Sequence, residues 1–116
     1  RTLPDAIVLQ PADAVAADRL IAHMLAYARG ISYLRAVREA LPILYSPDTV
    51  FAIGGAHTLR TSSADDLLIV ATGVTVHEAL TAHALLAGQG ISARVVDCYS
   101  IQPLPLSVLE EALAAT

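Results

Sequence analysis

The sequence predicts an α/β fold with an open, mostly parallel sheet and flanking helices. Over its 116 residues, short apolar runs alternate with segments whose apolar residues recur at helical spacing. One apolar run, residues 67–71 (LLIVA), shows no alternation, which is typical of a strand that is covered on both faces. These two observations favour alternating strands and helices over an all-helical or all-β chain.

The first third of the chain reads as a strand, a helix and a second strand. Residues 6–9 form a short apolar run. Asp13 is a suitable N-cap for the following helix, because its carboxylate can accept hydrogen bonds from free first-turn amides. Gly30 is placed to end this helix, and residues 31–36 form the next strand. Such a unit normally closes as a right-handed parallel crossover.

Proline, aspartate and glycine interrupt this pattern between residues 41 and 55. We therefore place a domain boundary there, with a first unit over residues 1–44, a linker over 45–55 and a second unit over 56–116.

The second unit is predicted to begin with a hairpin formed by residues 56–61 and 67–71, which makes its first strand antiparallel. The remaining predicted elements are a helix opening with a Thr75–Glu78 capping box, a strand over residues 91–98, and a helix opening with a Ser107–Glu110 capping box.

Composition and charge narrow the possible functions. The net charge is −4 and all seven cationic residues are arginine, without a basic cluster, so we expect no nucleic-acid partner. No apolar run approaches the roughly 18 residues that a membrane span requires, and no signal peptide precedes the first strand. We expect a cytoplasmic location.

The hydrophobic content predicts an interface. Because 55% of the residues are hydrophobic and only 16% are charged, we expect part of the apolar surface to be covered by another part of the protein or a second subunit.

Arg35 and Arg38 are the best candidate binding residues, because they lie at and just past the end of a predicted strand. Guanidinium groups at such an edge could hold a phosphate bidentately. The alternative is an ordinary ion pair, such as Arg38 with Glu39.

Asp97 ends a predicted strand at a place where open sheets gather ligands, or else it caps the neighbouring loop. The histidines lack metal-ligand spacing, and we assign no residue of this chain to catalysis, metal or cofactor binding.

Several strings resemble the transketolase family, in the same order and over nearly the whole chain. Those similar to the end of its pyrimidine-binding domain are residues 11–15 (PADAV), 30–38 (GISYLRAVR) and 42–45 (PILY). Those similar to the start of its C-terminal domain are residues 51–60 (FAIGGAHTLR), 69–80 (IVATGVTVHEAL) and 90–104 (GISARVVDCYSIQPL). The resemblance is greatest to shorter transketolases, including those split into two subunits.

The resemblance implies part of an enzyme that uses thiamine diphosphate and Mg²⁺ to move a two-carbon ketol unit between sugar phosphates. Residues 1–44 would end the pyrimidine-binding domain, and residues 56–116 would form a C-terminal domain that is incomplete at its end. Arg38 matches an arginine that binds the sugar's terminal phosphate, and Arg35 would support it. The implied partners are the rest of the subunit or a complementary N-terminal subunit, a second copy in a homodimer, and sugar phosphates. The isolated chain is expected to be inactive and to bind no cofactor.

Two alternatives remain open at this point. One is a stand-alone, non-catalytic α/β module for interaction or regulation, because fold does not fix function. The other is part of a different thiamine enzyme, since deoxyxylulose-phosphate synthase and the β subunits of 2-oxoacid dehydrogenases share features of the second half. Upstream sequence and substrate tests distinguish these from transketolase.

Overall fold

The structure, a computed structural model, describes residues 2–116. Strands and helices alternate along most of these residues, which confirms the α/β class. The elements are β1 (Ile7–Leu9), α1 (Ala14–Ala26), β2 (Ser32–Leu34), β3 (His57–Arg60), β4 (Leu67–Ala71), α2 (Thr75–Ala87), β5 (Ala93–Asp97), β6 (Ser100–Gln102) and α3 (Leu106–Ala114).

The described strands form two small mixed sheets, with strand orders β2-β1-β6 and β3-β5-β4. β1 and β2 are parallel, as the strand–helix–strand unit predicts. β4 and β5 are also parallel, whereas β1–β6 and β3–β5 are antiparallel. Each sheet therefore combines one parallel and one antiparallel pairing, where the sequence predicted a mostly parallel arrangement.

The predicted hairpin between the first two strands of the second unit is wrong, although β3 is antiparallel as expected. β3 pairs with β5, which lies between β3 and β4. The turn before β4 is bonded to the start of β5: Asp66 N donates to Ser92 O at 2.8 Å, and Arg94 Nε donates to Asp65 Oδ2 at 3.0 Å. β5 is also the most buried strand, so pairing on both edges satisfies its backbone.

Residues 100–102, which follow the last predicted strand, form a further strand, β6. This strand pairs antiparallel with β1, with Leu9 opposite Ser100 and Val8 opposite Gln102. A strand from the second half of the chain thus completes the sheet of the first half.

The N-terminal cap of α1 is as predicted from the sequence, whereas those of α2 and α3 are not. Asp13 caps α1, and its Oδ1 accepts from Ala16 N at 2.7 Å, as predicted. The two capping boxes are wrong. α2 follows Val74 without a side-chain cap, because Thr75 Oγ1 bonds the backbone of Thr72. α3 follows Pro105, also without a side-chain cap bond.

One apolar cluster spans both sheets and the helices between them. Its buried members come from β1, α1, the linker, α2 and β5, and include Leu9, Leu20, Phe51, Val76 and Val95. Many large apolar side chains stay exposed, and their burial in an interface remains a prediction. Among the described residues, no helix is long and apolar enough to cross a membrane.

Asp13→Ala is expected to lower the free energy of unfolding by about 2 to 4 kcal/mol, because it removes a helix cap and two further hydrogen bonds to a carboxylate. Urea denaturation followed by circular dichroism measures this. Asp18→Ala, at an exposed position of the same helix, is the control and should change stability by less than about 0.5 kcal/mol. Equal effects of the two substitutions would contradict the role of Asp13.

Candidate functional site

The two candidate arginines lie on the segment that leaves β2. Arg35 directly follows the strand, and its backbone N–H donates to Leu9 O at 2.8 Å. Arg38 lies three residues further on, and both side chains are exposed. Neither forms an ion pair with any of residues 2–116, so the alternative pair of Arg38 with Glu39 is not formed there. Both guanidinium groups are therefore accessible to an anion.

The segment covers a cavity of about 340 Å³ at the start of α1. Arg38 lies between two of the lining residues, Val37 and Glu39, and does not itself line the cavity. The full lining consists of Pro11, Asp13, Ala14, Ala17, Ala36, Val37, Glu39, Ala40 and Leu41. The cavity is thus bounded on one side by the segment that carries the arginines and on the other by the first turns of α1.

The far end of this segment is held by Asp13. Its Oδ2 accepts from Leu44 N at 2.7 Å and from Tyr45 N at 2.9 Å, while its Oδ1 caps α1. Between Arg35 and Leu44, residues 36–43 make no hydrogen bond to any other described residue. The segment is therefore a surface loop that is fixed at its two ends.

A buried hydrogen bond connects the end of this loop to the second sheet. Tyr45 Oη donates to Asp97 Oδ2 at 2.6 Å, and Asp97 is fully buried at the carboxyl end of β5. Burial, reinforced by the negative charge of Asp13, raises the pKa of Asp97 to about 6, although the bond from Tyr45 and the charge of His77 oppose this. Burial and the neighbouring Asp97 raise the pKa of Tyr45, so its hydroxyl keeps its proton.

Aromatic rings surround this bond. Phe51 lies 4.9 Å, centroid to centroid, from each of Tyr45, His57 and Tyr99 in edge-to-face contacts. Burial lowers the pKa of His57, which favours its neutral form. His57 Nε2 and Asp97 Oδ1 have no hydrogen-bond partner among residues 2–116. The carboxylate therefore lies in a largely apolar environment where few groups stabilise its charge.

The structure places the predicted residues in two connected regions. Arg35 and Arg38 lie at the end of β2, where the sequence put them, and their binding role remains a prediction. Asp97 ends its strand as expected, but it binds Tyr45 instead of capping the neighbouring loop. Sequence reasoning missed the contact of Tyr45, although this residue ends the string 42–45 (PILY). The local signal of the contact was a carboxylate that ends an apolar strand.

The described residues do not fit a metal centre, because no group of three or more His, Cys, Asp or Glu residues among them could hold an ion. The described residues therefore offer no donor set for the Mg²⁺ that the resemblance implies.

Residues 55–116, more than half of the chain, match the family "Transketolase, C-terminal domain". The chain belongs to this family.

The relatives extend the likeness from residues 55–116 to all 116 residues of this chain. Transketolase-like protein 2 of Mus musculus is 34% identical over all 116 residues, which span 18% of that protein's length. A split-gene transketolase, solved as an inactive β4 tetramer, is 34% identical with a TM-score of 0.91, and the match covers 100% of this chain and 38% of that one. Transketolase from Pichia stipitis in complex with sedoheptulose-7-phosphate is 30% identical with a TM-score of 0.75, over 93% of this chain and 17% of that one.

The position of Asp97 predicts a pH-dependent stability. Its pKa is raised on folding from 3.8 to about 6, so the native state binds more protons between these values. The stability that a protonated Asp97 provides is complete below pH 4 and is lost as the pH rises through about 6, by roughly 2 to 3 kcal/mol.

Urea denaturation of the wild type and of Asp97→Asn between pH 4 and 7 measures this effect. The decrease in the free energy of unfolding from pH 4 to pH 7 should be smaller in Asp97→Asn, because the amide does not ionise. Asp18→Asn, at an exposed site, should follow the wild type. Parallel curves for the wild type and Asp97→Asn would show that Asp97 titrates normally.

Proposed function

We propose that this chain is part of a transketolase-type thiamine-diphosphate enzyme that transfers a two-carbon ketol unit between sugar phosphates. The observation that carries the proposal is the pair of exposed, unpaired arginines on a loop fixed at both ends, in a chain of the transketolase C-terminal domain family. The chain spans less than a fifth of the curated relative it matches, so catalysis requires further parts.

Arg38 is the proposed ligand of the substrate phosphate, and Arg35 supports it from the end of β2. An arginine fork matches two phosphate oxygens, and each charge-assisted hydrogen bond is worth about 1.5 to 3 kcal/mol. The Pichia stipitis relative was solved with sedoheptulose-7-phosphate, which supports a phosphorylated sugar as the substrate class.

The cofactor belongs to the complete enzyme in this proposal. Thiamine diphosphate would supply the carbanion chemistry there, and Mg²⁺ would be held outside residues 2–116, because these residues build no metal centre. The isolated chain would then be inactive. The division into residues 1–44, 45–55 and 56–116 as domain end, linker and C-terminal domain is part of the same proposal, as is a cytoplasmic location.

The proposed protein partners are the rest of the subunit or a complementary N-terminal subunit, together with a second copy in a homodimer. Support comes from the split-gene relative, whose chain was solved as a tetramer without activity. It also comes from large apolar side chains exposed on several elements, among them Leu25, Val50 and Leu85.

Arg38→Ala in the complete enzyme is expected to raise KM for phosphorylated sugars about 10- to 150-fold, which corresponds to roughly 1.5 to 3 kcal/mol for one charged hydrogen-bonding group. A steady-state ketol-transfer assay measures this. KM for an unphosphorylated ketose should change little, since it offers no phosphate to the arginine.

Arg60→Ala is the matched control, because Arg60 is an exposed arginine on β3 whose guanidinium bonds only the adjacent Leu59 carbonyl. An unchanged KM in Arg38→Ala would remove the phosphate assignment. Absence of ketol transfer in the complete wild-type enzyme would overturn the proposed function itself.

A further inference from the structure

Tyr45 is held by three different contacts, each from a separate part of the fold. Its backbone N–H donates to Asp13 at the start of α1, at 2.9 Å. Its ring packs edge-to-face on Phe51, and its hydroxyl donates to Asp97 in β5. Tyr45 therefore joins the start of α1, the linker and the second sheet at a single buried point.

This point is also the end of the loop that carries Arg38. Residues 36–43 have no hydrogen bond to another described residue, so the conformations open to them depend on where their two ends are fixed. One end is the Arg35–Leu9 backbone bond, which belongs to the sheet. The other end is Leu44 and Tyr45, which depend on two carboxylates.

We propose that Tyr45 is a positioning residue for the Arg38 loop, and that the charge state of Asp97 controls how firmly Tyr45 holds it. The inference rests on the proposed function, in which Arg38 binds a phosphate. An ionised carboxylate accepts a shorter and stronger hydrogen bond from a hydroxyl than a neutral carboxyl group does. A charged Asp97 thus holds the loop end tightly, and a protonated one releases it in part.

The surroundings of Asp97 place the change in its charge near pH 6. Its pKa is raised to about 6, mainly by burial. Asp13 adds a like charge, while His77, whose Nε2 donates to Ala12 O at 2.7 Å, adds an opposing influence. The titratable groups that lie around Asp97 are Asp13, Tyr45, His57, His77 and Tyr99.

Loop order can be measured directly on the ¹⁵N-labelled 116-residue chain, from the backbone relaxation of residues 36–43 at pH 5 and pH 7.5. In the wild type these amides should be less ordered at pH 5. In Tyr45→Phe, which keeps the ring but lacks the hydroxyl, they should be less ordered at both pH values. In Asp97→Asn, whose amide oxygen still accepts and does not titrate, the order should be the same at both.

Tyr33→Phe is the matched control, because Tyr33 is an exposed tyrosine on β2 whose hydroxyl bonds no described residue. It should behave as the wild type. Amides of β5 report whether each variant remains folded. A purely structural role for Tyr45 would lower stability without a pH-dependent change confined to residues 36–43.

Anion affinity supplies the functional readout. Inorganic sulfate is the probe, because its charge stays constant between pH 5 and 7.5, whereas a phosphate ester titrates near pH 6. Sulfate should bind the wild type at pH 7.5 about 2- to 10-fold more tightly than Tyr45→Phe, the range expected for one hydrogen bond. Binding to Asp97→Asn should not depend on pH.

The two proposals fail in different ways. If Tyr45→Phe matches the wild type in loop order and sulfate affinity, or if the wild type and Asp97→Asn share one pH profile, the positioning role is overturned while Arg38 can still bind the anion. If the loop responds as expected but Arg38→Ala binds sulfate as the wild type does, the phosphate role of Arg38 is overturned and the control of the loop by Tyr45 stands.

Discussion

The carboxylate of Asp13 is the contact on which the arrangement of the first half depends. One side chain accepts hydrogen bonds from the first turn of α1 and from two consecutive linker amides more than thirty residues away in sequence. These amides would otherwise have no partner as the chain turns into the core, and an unsatisfied buried N–H is costly. Asp13 thereby fixes both where the helix begins and where the loop after β2 ends.

Asp97 is more weakly supported than Asp13, since its buried carboxylate has one hydrogen-bond partner, Tyr45, among residues 2–116. Its strand lies at the centre of the second sheet and contributes Val95 and Val96 to the interior. A carboxylate at this position costs solvation free energy, and the single bond from Tyr45 offsets only part of that cost. A group that lowers stability but connects the second sheet to Tyr45 is better explained by a role in positioning the end of the loop than by a role in holding the core together.

Local features of the sequence could be predicted, whereas long-range ones could not. Patterns that span no more than about 25 positions predict the α/β class, the Asp13 cap, the parallel β1–β2 pair and the place of Arg35 and Arg38. Three features join residues that lie 35 or more positions apart in the sequence: the pairing of β3 with β5, the pairing of β6 with β1, and the Tyr45–Asp97 bond. The Thr75 capping box failed because of another local contact, since Thr75 Oγ1 bonds the backbone of Thr72 in the preceding turn.

The pairing of β1 with β6 has a consequence for synthesis on the ribosome. Residues 7–9 leave the ribosome more than ninety residues before their antiparallel neighbour at residues 100–102. Until then, one edge of β1 has unpaired backbone groups, which is the arrangement that invites association between nascent chains. The first sheet can therefore be completed only after residue 102 has been translated. The folding of β1 into its sheet thus depends on β6, the strand of that sheet that is synthesised last.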